Sequence, residues 1–303
     1  MSVFVQQTGT ECEFGSSDSW VILSPIEQSI KRKIEAVGTP LKDWDIQINY
    51  GIKTGYNDAF IIDTAKRDEI LANCQSEDER KRTAELIRPI LRGRDIKRYG
   101  YNWAGLYLIA TFPSRHYDIE LYPAVKNYLL SYGIERLEQT GKVHNVNGEK
   151  IKARKKTSNK WFETQDSISY WEDFSKPKII WKRIGSILRF SYDNMEHLGL
   201  DSTCFATGVN IEFVCCVLNS QMGHYLLKDS PKTGTGDLLI SVQAIEPIRI
   251  PHIDWETNMN FKKLLMDLIK DNSLAKEQEI SRKVFELYDL SPNEQSYIEK
   301  NFT

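Results

Sequence analysis

The sequence predicts an α+β fold, with small mixed sheets and helices followed by a helical C-terminal extension. Three observations support this prediction. Up to about residue 250, segments with the alternating pattern of strands are interleaved with segments of helical periodicity. After residue 251 the composition changes to helix formers, with apolar residues three and four positions apart. No segment of 20 to 50 residues is repeated, which argues against a solenoid.

The first predicted element is a helix that begins at Pro25. Ser24 is a suitable N-cap residue, and Glu27 at the third helical position completes a capping box. Ile30 and the residues spaced around it give the helix an apolar face, and Gly38 is expected to end it. Residues 1–24 are polar and rich in Gly and Ser, so they are predicted to be a linker or a cut end.

A strand–turn–strand unit is predicted next, with a strand over 46–50, a glycine-containing turn over 51–57 and a second strand over 59–62. Helices are predicted over 65–73 and 77–91. Gly93 is the expected end of the second helix, because glycine often follows a helix C-terminus.

The centre of the chain continues this mixed pattern. The predicted elements are a strand over 106–110, a helix over 122–137, strands around 179–181 and 187–192, and a buried helix over 211–227. Residues 141–160 carry seven cations against the single acid Glu149 and have no apolar periodicity. We therefore predict that this stretch is a mobile basic loop.

The last fifty residues predict two amphipathic helices, with apolar faces over 261–269 and 280–288, and a short final helix capped by Ser291. The two apolar faces are expected to pack together. The chain is thus predicted to have three parts, at residues 1–24, 25–251 and 252–303.

Composition excludes several classes of protein. The 303 residues are 41% hydrophobic and 27% charged, which is typical of a globular chain and not of a disordered one. The formal net charge of −2 argues against a broadly basic nucleic-acid binder, although a local basic groove is compatible with it. The five cysteines lack the spacing of a zinc knuckle or a disulfide framework, which favours a reducing cytoplasm. No leader-like N-terminus and no run of about 18 apolar residues is found, so no membrane association is expected.

No catalytic, cofactor-binding or metal-binding residues are predicted. An adenine methyltransferase needs a glycine-rich loop between a strand and a helix, and an Asn/Asp-Pro-Pro-aromatic element facing the extruded base. The glycine-rich stretch 233–237 lacks that setting. A nuclease site could draw on Asp118 with Glu120, or on Asp229 with Lys232, but an ordinary acidic surface is the better explanation of these residues. The five histidines lack metal-ligand spacing.

Basic and aromatic clusters are the remaining candidates for function. In the turn over 51–57, Lys53, Thr54 and Asn57 can offer donors to phosphate or base edges. A hairpin with a polar tip is the alternative interpretation. Arg92, Arg94 and Arg98 surround a single acid, so they predict either a phosphate contact or a turn in which Asp95 pairs with Arg92 or Arg98.

Two further clusters follow. The basic loop interleaves cations with an aromatic residue, as a phosphate-tracking loop with a stacking side chain would; its candidates are Lys152, Arg154, Lys155, Lys156, Lys160 and Trp161. A solvated charge run beside a buried Trp is the alternative. Lys178, Lys182 and Arg183 flank the strand around Trp181 and are predicted to line the same cleft.

The order of several strings resembles one known family. Gly51-Ile52-Lys53-Thr54-Gly55 with Phe60-Ile61-Ile62 is similar to the opening of TaqI-like C-terminal specificity domains of type II restriction-modification enzymes. The later strings that agree in order are 86–96, Tyr122-Pro123-Ala124-Val125, Trp161, Lys176-Pro177-Lys178-Ile179-Ile180, Leu218-Asn219-Ser220, Pro247-Ile248 with Ile250-Pro251, and Leu287-Tyr288-Asp289-Leu290. The resemblance covers about residues 26–298.

The resemblance implies that residues 25–251 are a DNA target-recognition domain and that this chain alone is not an enzyme. The implied partners are double-stranded DNA and a methyltransferase catalytic domain, in cis or in trans. That catalytic part would use S-adenosylmethionine to methylate adenine N6, and no cofactor is expected in this chain. Lys and Arg residues of the clusters would contact phosphate or guanine, Asn57 adenine, and Trp161 would pack or stack. The alternatives are a protein-interaction subunit that docks on a methyltransferase, or a nuclease with an unrecognised site.

Overall fold

The structure is a computed structural model that describes residues 23–302. Residues 1–22 of the predicted linker lie outside the described residues. The chain divides into two compact units. A sheet unit comprises Asp45–Cys215 and Ser230–Ala244, and a helical unit comprises the described residues up to Trp44, Cys216–Asp229 and the chain from Ile245. This division follows compactness; the predicted functional division at residues 24 and 251 stays a prediction.

The secondary structure confirms an α+β fold. The strands are β1 (Gly38–Pro40), β2 (Ile46–Tyr50), β3 (Ile61–Asp63), β4 (Ile87–Leu91), β5 (Leu106–Ile109), β6 (Val143–Val146), β7 (Glu149–Lys152), β8 (Lys178–Lys182), β9 (Ile184–Gly185), β10 (Phe190–Asp193), β11 (Leu198–Gly199), β12 (Thr203–Gly208), β13 (Leu238–Leu239) and β14 (Arg249–Pro251). The helices are α1 (Pro25–Val37), α2 (Asn57–Phe60), α3 (Thr64–Ala72), α4 (Glu77–Leu86), α5 (Pro123–Leu130), α6 (Ile134–Leu137), α7 (Ile211–Asn219), α8 (Gln221–Leu226), α9 (Val242–Ile245), α10 (Trp255–Asp271), α11 (Leu274–Leu287) and α12 (Pro292–Asn301). Within residues 23–302, no helix combines the length and the apolar character needed to cross a membrane.

Two four-stranded sheets organise the sheet unit. The first has the order β10-β8-β12-β2, and its neighbouring strands are all antiparallel. The second has the order β11-β4-β5-β3 and is mixed, because β11 runs parallel to β4. Apolar side chains of both sheets, such as Ile180 and Phe205 from the first and Ile90 and Ile109 from the second, belong to one buried core. Burial of this apolar surface is what holds the two sheets in one unit.

The helical unit joins the two ends of the described chain. Strand β1 pairs with β14, with Gly38 opposite Pro251. Phe261 and Leu265 of α10 are buried, as are Ile280 and Val284 of α11. The two helices also contact each other, so the predicted packing of the two C-terminal apolar faces is confirmed. Ile269 is the exception on its face, because its side chain is 42% exposed.

Several predicted elements differ in their bounds. The helix predicted over 77–91 ends at Leu86, and β4 follows directly, because Pro89 cannot continue a helix and the apolar residues around it pair with β5. The strand predicted over 59–62 begins with the short helix α2. The helix predicted over 122–137 breaks before Gly133, which has a φ of +86°. The helix over 211–227 is interrupted at Ser220, whose hydroxyl caps α8 by accepting from the Gly223 N–H.

Part of the stretch predicted to be a mobile basic loop is regular structure. Strands β6 and β7 form a hairpin, with Val146 opposite Glu149. The turn between them holds Asn147 and Gly148, both with positive φ, which is the usual chemistry of a tight hairpin. The pattern had no apolar periodicity because the hairpin exposes most of its side chains.

Candidate nucleic-acid interface

Three strands of the first sheet meet at one edge. Cys204 near the start of β12 lies opposite both Tyr50 at the end of β2 and Trp181 near the end of β8. The residues that follow β2 and β8 and those that precede β12 are therefore neighbours, although β2 ends about 150 positions before β12 begins. The Gly51 N–H donates to the Thr203 carbonyl at 2.9 Å, and the Arg183 N–H donates to the Ser202 carbonyl at 3.0 Å. We call this place the sheet edge.

Gly51 explains why the chain turns so closely there. A Cβ at this position would lie 2.0 Å from the Leu200 carbonyl oxygen, so no other residue fits without moving the backbone. The next residue, Ile52, is fully buried and donates its N–H to the Gly199 carbonyl at 2.7 Å. Lys53 follows directly and is exposed, so the buried residues before it fix the point at which its side chain leaves the backbone.

The segment around Asp166 closes the sheet edge from the other side. The Lys53 carbonyl accepts from the Gln165 and Asp166 N–H groups at 3.1 and 3.3 Å. The Tyr170 hydroxyl donates to the Tyr50 carbonyl at 3.0 Å. These bonds enclose a cleft of about 330 Å³, which we call the edge cleft. Its lining residues are Tyr50, Gly51, Lys53, Asp166, Ser167, Ile168, Tyr170, Arg183 and Asp201.

Charges of both signs face the edge cleft. Burial raises the pKa of Asp166 and the charge of Asp201 adds to this, whereas Lys53 and Lys155 act in the opposite direction. Lys155 follows Arg154, whose guanidinium donates to the Thr54 carbonyl at 2.9 Å, so this part of the basic stretch lies next to the chain that carries Lys53. The Arg183 guanidinium lies 6.0 Å from the centroid of the Tyr50 ring. The structure thus brings together Lys53, Lys155 and Arg183 from three separate clusters.

The turn that carries Arg92 and Arg94 contacts the sheet edge. The Gly93 N–H donates to the Ser202 hydroxyl at 3.0 Å, and the Lys182 side chain lies against Gly93. Arg92 is engaged with Asp95, because its Nε and Nη2 atoms donate to the two carboxylate oxygens at 3.0 and 2.8 Å. The salt-bridged turn that the sequence left open is therefore present.

The other two arginines of this cluster are placed differently. Arg94 and Arg98 are exposed, and the Arg98 guanidinium is 5.5 Å from the centroid of the Tyr99 ring. Their roles as phosphate or guanine contacts stay predictions. Two of the five guanidinium donors of Arg92 are engaged with Asp95, so a ligand would meet a charge that is already paired.

The structure contradicts the role predicted for Arg154. It is only 4% exposed, and its guanidinium donates to the backbone carbonyls of Leu137, Thr54, Glu163 and Trp161. Burial lowers its pKa to about 10, while Glu163 acts in the opposite direction. With its donors committed inside the fold, Arg154 does not fit the predicted role of a phosphate contact.

Thr54 and Lys178 are corrected for the same reason, because both are fully buried. The Thr54 hydroxyl donates to Asn57 Oδ1 at 2.6 Å, so it orders the turn and does not face a ligand. Lys178 forms a buried ion pair with Asp193 at 2.6 Å, so it does not line the cleft as predicted. Asn57 is exposed, and its predicted adenine contact stays a prediction.

The remaining predicted residues lie around the basic stretch. Lys152 at the end of β7, Lys155, Lys156 and Lys160 are exposed. Trp161 is half-buried and meets the Phe162 ring edge-on at 5.5 Å, so part of its surface serves packing. The alternative interpretation, a solvated charge run beside a buried Trp, is thus partly correct, because the lysines are exposed and Trp161 is half-buried.

Six lining residues outside the predicted turn over 51–57 were not predicted as site residues from the sequence, namely Tyr50, Asp166, Ser167, Ile168, Tyr170 and Asp201. Tyr50 was noted only as a strand residue. The two aspartates gave no signal, because isolated acids are common in a chain with 42 of them. Asp201 lies just before β12, whose start is beside the end of β2. The sequence could have indicated Asp201 only if this strand pairing had been known.

The candidates for catalysis have ordinary surroundings. Asp118 accepts from the Glu120 N–H at 3.1 Å, and Glu120 pairs with Lys126 at 2.7 Å. The stretch 233–237 is a tight turn in which the Thr233 N–H donates to the Asp237 carbonyl at 2.8 Å. Among residues 23–302, no group of three or more His, Cys, Asp and Glu residues is arranged to hold a metal ion.

Comparison with known families gives one match. The sequence profile of the TaqI-like C-terminal specificity domain matches residues 88–248, which is just over half of the chain and includes Asp166 and Arg183. No match was found among curated proteins.

Two solved structures share the fold. The type IIL restriction-modification enzyme MmeI, solved in complex with DNA, superposes with a TM-score of 0.56 at 11% identity, over 88% of this chain and 36% of that chain. The type IIG restriction endonuclease BpuSI superposes with a TM-score of 0.52 at 12% identity, over 91% of this chain and 32% of that chain. The chain spans about a third of the length of each, and at this identity the likeness concerns the fold alone.

Proposed function

This chain belongs to the family of TaqI-like C-terminal specificity domains, and we propose that it reads the target sequence in duplex DNA for an adenine-N6 methyltransferase of a type II restriction-modification system. DNA recognition within restriction-modification follows from the family itself. The proposal goes further in assigning recognition to the sheet edge and in naming the reaction of the partner.

The observation that carries the proposal is the convergence of cations at the sheet edge. Lys53 and Arg183 line the edge cleft together with Asp166 and Asp201. Lys182 directly precedes Arg183, and Lys155 follows Arg154, which bonds to the Thr54 carbonyl. These residues come from separate parts of a chain whose net charge is −2, so the overall composition does not account for their grouping. Clustered Lys and Arg side chains bind a duplex by neutralising phosphates and releasing counterions.

In this proposal the chain positions the duplex and the partner performs the chemistry. Cations around the cleft hold phosphates, which fixes the register of the duplex, while side chains in the cleft meet base edges. The methyltransferase domain, in cis or in trans, would then extrude and methylate the adenine.

The methyl donor S-adenosylmethionine is assigned to the partner domain. Within the described residues, the glycine-rich turn at 233–237 is followed by the short strand β13, which pairs with β9, and not by a helix. It therefore lacks the helix N-terminus that a loop of this kind uses to hold a cofactor. No step of methyl transfer is assigned to this chain.

The test is the salt dependence of duplex binding, measured by fluorescence anisotropy. Lys155 and Lys156 are exposed neighbours that follow Arg154, which bonds to the turn carrying Lys53, so the variant Lys155→Ala/Lys156→Ala should weaken binding to all duplexes alike. The slope of log affinity against log salt should flatten by about two units if both residues contact phosphate.

The matched control is Arg80→Ala/Lys81→Ala, which removes two exposed neighbouring cations from α4. We expect this variant to keep both the affinity and the slope of the wild type. If the two double variants behave alike, the sheet edge is not the phosphate-binding surface.

A second candidate function is docking on a partner protein. Trp255 at the start of α10 is 77% exposed and Met259, one turn later, is 40% exposed. Contiguous exposed apolar side chains can mark an interaction surface, whereas scattered ones do not. Pull-down of the cognate methyltransferase at high salt, lost on Trp255→Ser, together with no duplex binding by the wild type, would favour this function over DNA reading.

A further inference from the structure

The edge cleft carries two carboxylates on a surface that otherwise suits phosphates. Asp166 and Asp201 line it together with Lys53 and Arg183. A carboxylate facing a phosphate repels it, so two of them at a phosphate-binding surface weaken non-specific binding. Their presence calls for a different contact in the middle of the surface.

Base edges supply that contact. Aspartate accepts a hydrogen bond from the N4 amino group of cytosine, and Lys or Arg donates to O6 and N7 of guanine. In a G·C pair the two guanine acceptors are adjacent and the cytosine donor lies at one end, whereas in an A·T pair the donor lies between two acceptors. The cleft holds two cations and two carboxylates, and a cation pair with one carboxylate at its end matches the first order better than the second.

The placement of Asp166 supports this role. Its backbone N–H donates to the Lys53 carbonyl at 3.3 Å, so the carboxylate and the Lys53 side chain leave adjacent points of the backbone. Asp166 is half-buried, and partial withdrawal from water strengthens hydrogen bonds to a ligand that fills the cleft.

The second cation is also held in place. Arg183 is fixed by its backbone bond to Ser202, next to Asp201, and its guanidinium lies near the Tyr50 ring. The Tyr50 hydroxyl in turn donates to Gln243 Oε1 at 3.1 Å, which orients the ring. The backbone of Arg183 is thus tied to the start of β12, while Asp166 lies in a segment whose backbone bonds to Lys53.

We propose that the edge cleft reads a G·C base pair in the major groove, with Asp166 accepting from cytosine N4 and Lys53 or Arg183 donating to guanine. This inference rests on the proposed function, since it names the base pair that the same site would read. It gives the residues different roles, because Lys53, Asp166 and Arg183 specify the base pair while Lys155 and Lys156 hold phosphates.

The experiment is selection of bound duplexes from a randomised library, followed by sequencing, for the wild type and for Asp166→Asn. The wild type should select G·C at one position or more. Asp166→Asn should lose about 5- to 150-fold of the preference at one of these positions, the range that corresponds to the usual 1 to 3 kcal/mol of a good base contact. Preference at the other positions and the salt slope should stay unchanged.

Two further variants guard against an effect of misfolding. Lys53→Gln removes an exposed cation, so its effect does not depend on a change in folding, and it should relax the same base pair as Asp166→Asn. Glu172→Gln makes the same change from carboxylate to amide at an exposed site outside the cleft, and its selection should match the wild type.

The outcomes separate the two proposals. If the wild type binds no duplex at any salt concentration, the proposed function and this inference both fail. If it binds and selects a sequence, but Asp166→Asn and Lys53→Gln keep every preference, only the reading of G·C by the edge cleft is overturned. A shift of preference at an A·T position would overturn it as well.

Discussion

Arg154 and Lys155 are neighbours of equal formal charge, yet the fold uses them in opposite ways. The Arg154 guanidinium joins the backbone at Leu137, Thr54, Glu163 and Trp161, so it ties the Gly51–Asn57 turn to the basic stretch. Lys155 is exposed beside the edge cleft. At the scale of the residue, burial and hydrogen bonding decide function, and the type of charge does not.

This contrast predicts very different costs of substitution. Arg154→Ala leaves several buried carbonyls without donors and should reduce the free energy of unfolding by about 3 to 5 kcal/mol. Arg154→Lys should recover little of this loss, because an ammonium lacks the planar set of five donors. Urea unfolding followed by circular dichroism measures both.

Lys155→Ala is the matched control, and its free energy of unfolding should lie within about 0.5 kcal/mol of the wild type. Equal stabilities for Arg154→Ala and Lys155→Ala would show that the buried network does not form.

Helix capping links single residues to whole elements in the helical unit. Ser24 with Glu27 and Ser291 with Glu294 form capping boxes at the starts of α1 and α12. Burial would raise the pKa of both glutamates, but hydrogen bonds outweigh it and lower each from 4.5 to about 2. The largest opposing contributions are side-chain hydrogen bonds from Lys228 to Glu27 and from Lys33 to Glu294.

These shifts predict acid sensitivity. A carboxyl whose pKa is lower in the folded state contributes stability that is fully present above its unfolded pKa and is lost as the pH falls toward the folded value. The window runs from about pH 5 down to pH 2. The variant Glu27→Gln/Glu294→Gln should therefore be less stable than the wild type at pH 7 but lose less stability between pH 7 and pH 3.

Thermal unfolding at a series of pH values tests this expectation. Glu35→Gln is the control, because Glu35 pairs with Lys31 on the exposed face of α1 at 3.9 Å. It should follow the pH profile of the wild type. A double variant with the same profile as Glu35→Gln would contradict the assignment.

The C-terminal helices offer a second test at the scale of the element. Leu265 of α10 is fully buried, so Leu265→Asp places an unpaired charge in the interior and should cost several kcal/mol of unfolding free energy. Ile269, one turn later, is 42% exposed, and Ile269→Asp should cost about 0.5 kcal/mol or less. Similar melting temperatures for the two variants would mean that this face of α10 is not packed.

At the scale of the whole molecule, recognition and chemistry are predicted to be separate. The chain should show no saturable binding of S-adenosylmethionine, because the glycine-rich turn at 233–237 leads into β13 and not into a helix. Isothermal titration calorimetry measures this directly. If binding is found, the variant Gly234→Ala/Gly236→Ala shows whether this turn is responsible.

Elements whose signals are local could be predicted from the sequence. The capping box at Ser24, the alternation before Tyr50 and the apolar faces around Leu265 and Ile280 each depend on residues within a few positions of one another. The family could be inferred for the same reason, since short strings in the right order are a property of the sequence itself.

The tertiary structure decided the rest. Whether residues 87–91 continue a helix or form a strand depends on the presence of β5 as a partner. The local pattern does not contain this information, so the prediction of a helix over 77–91 was wrong in its last five residues. The edge cleft depends on the register that sets Cys204 opposite Tyr50 and Trp181, because only that pairing brings Asp166, Asp201 and Arg183 together. A sequence carries the charge of each side chain, but packing determines whether that charge is buried against carbonyls, as in Arg154, or left at the surface, as in Lys155.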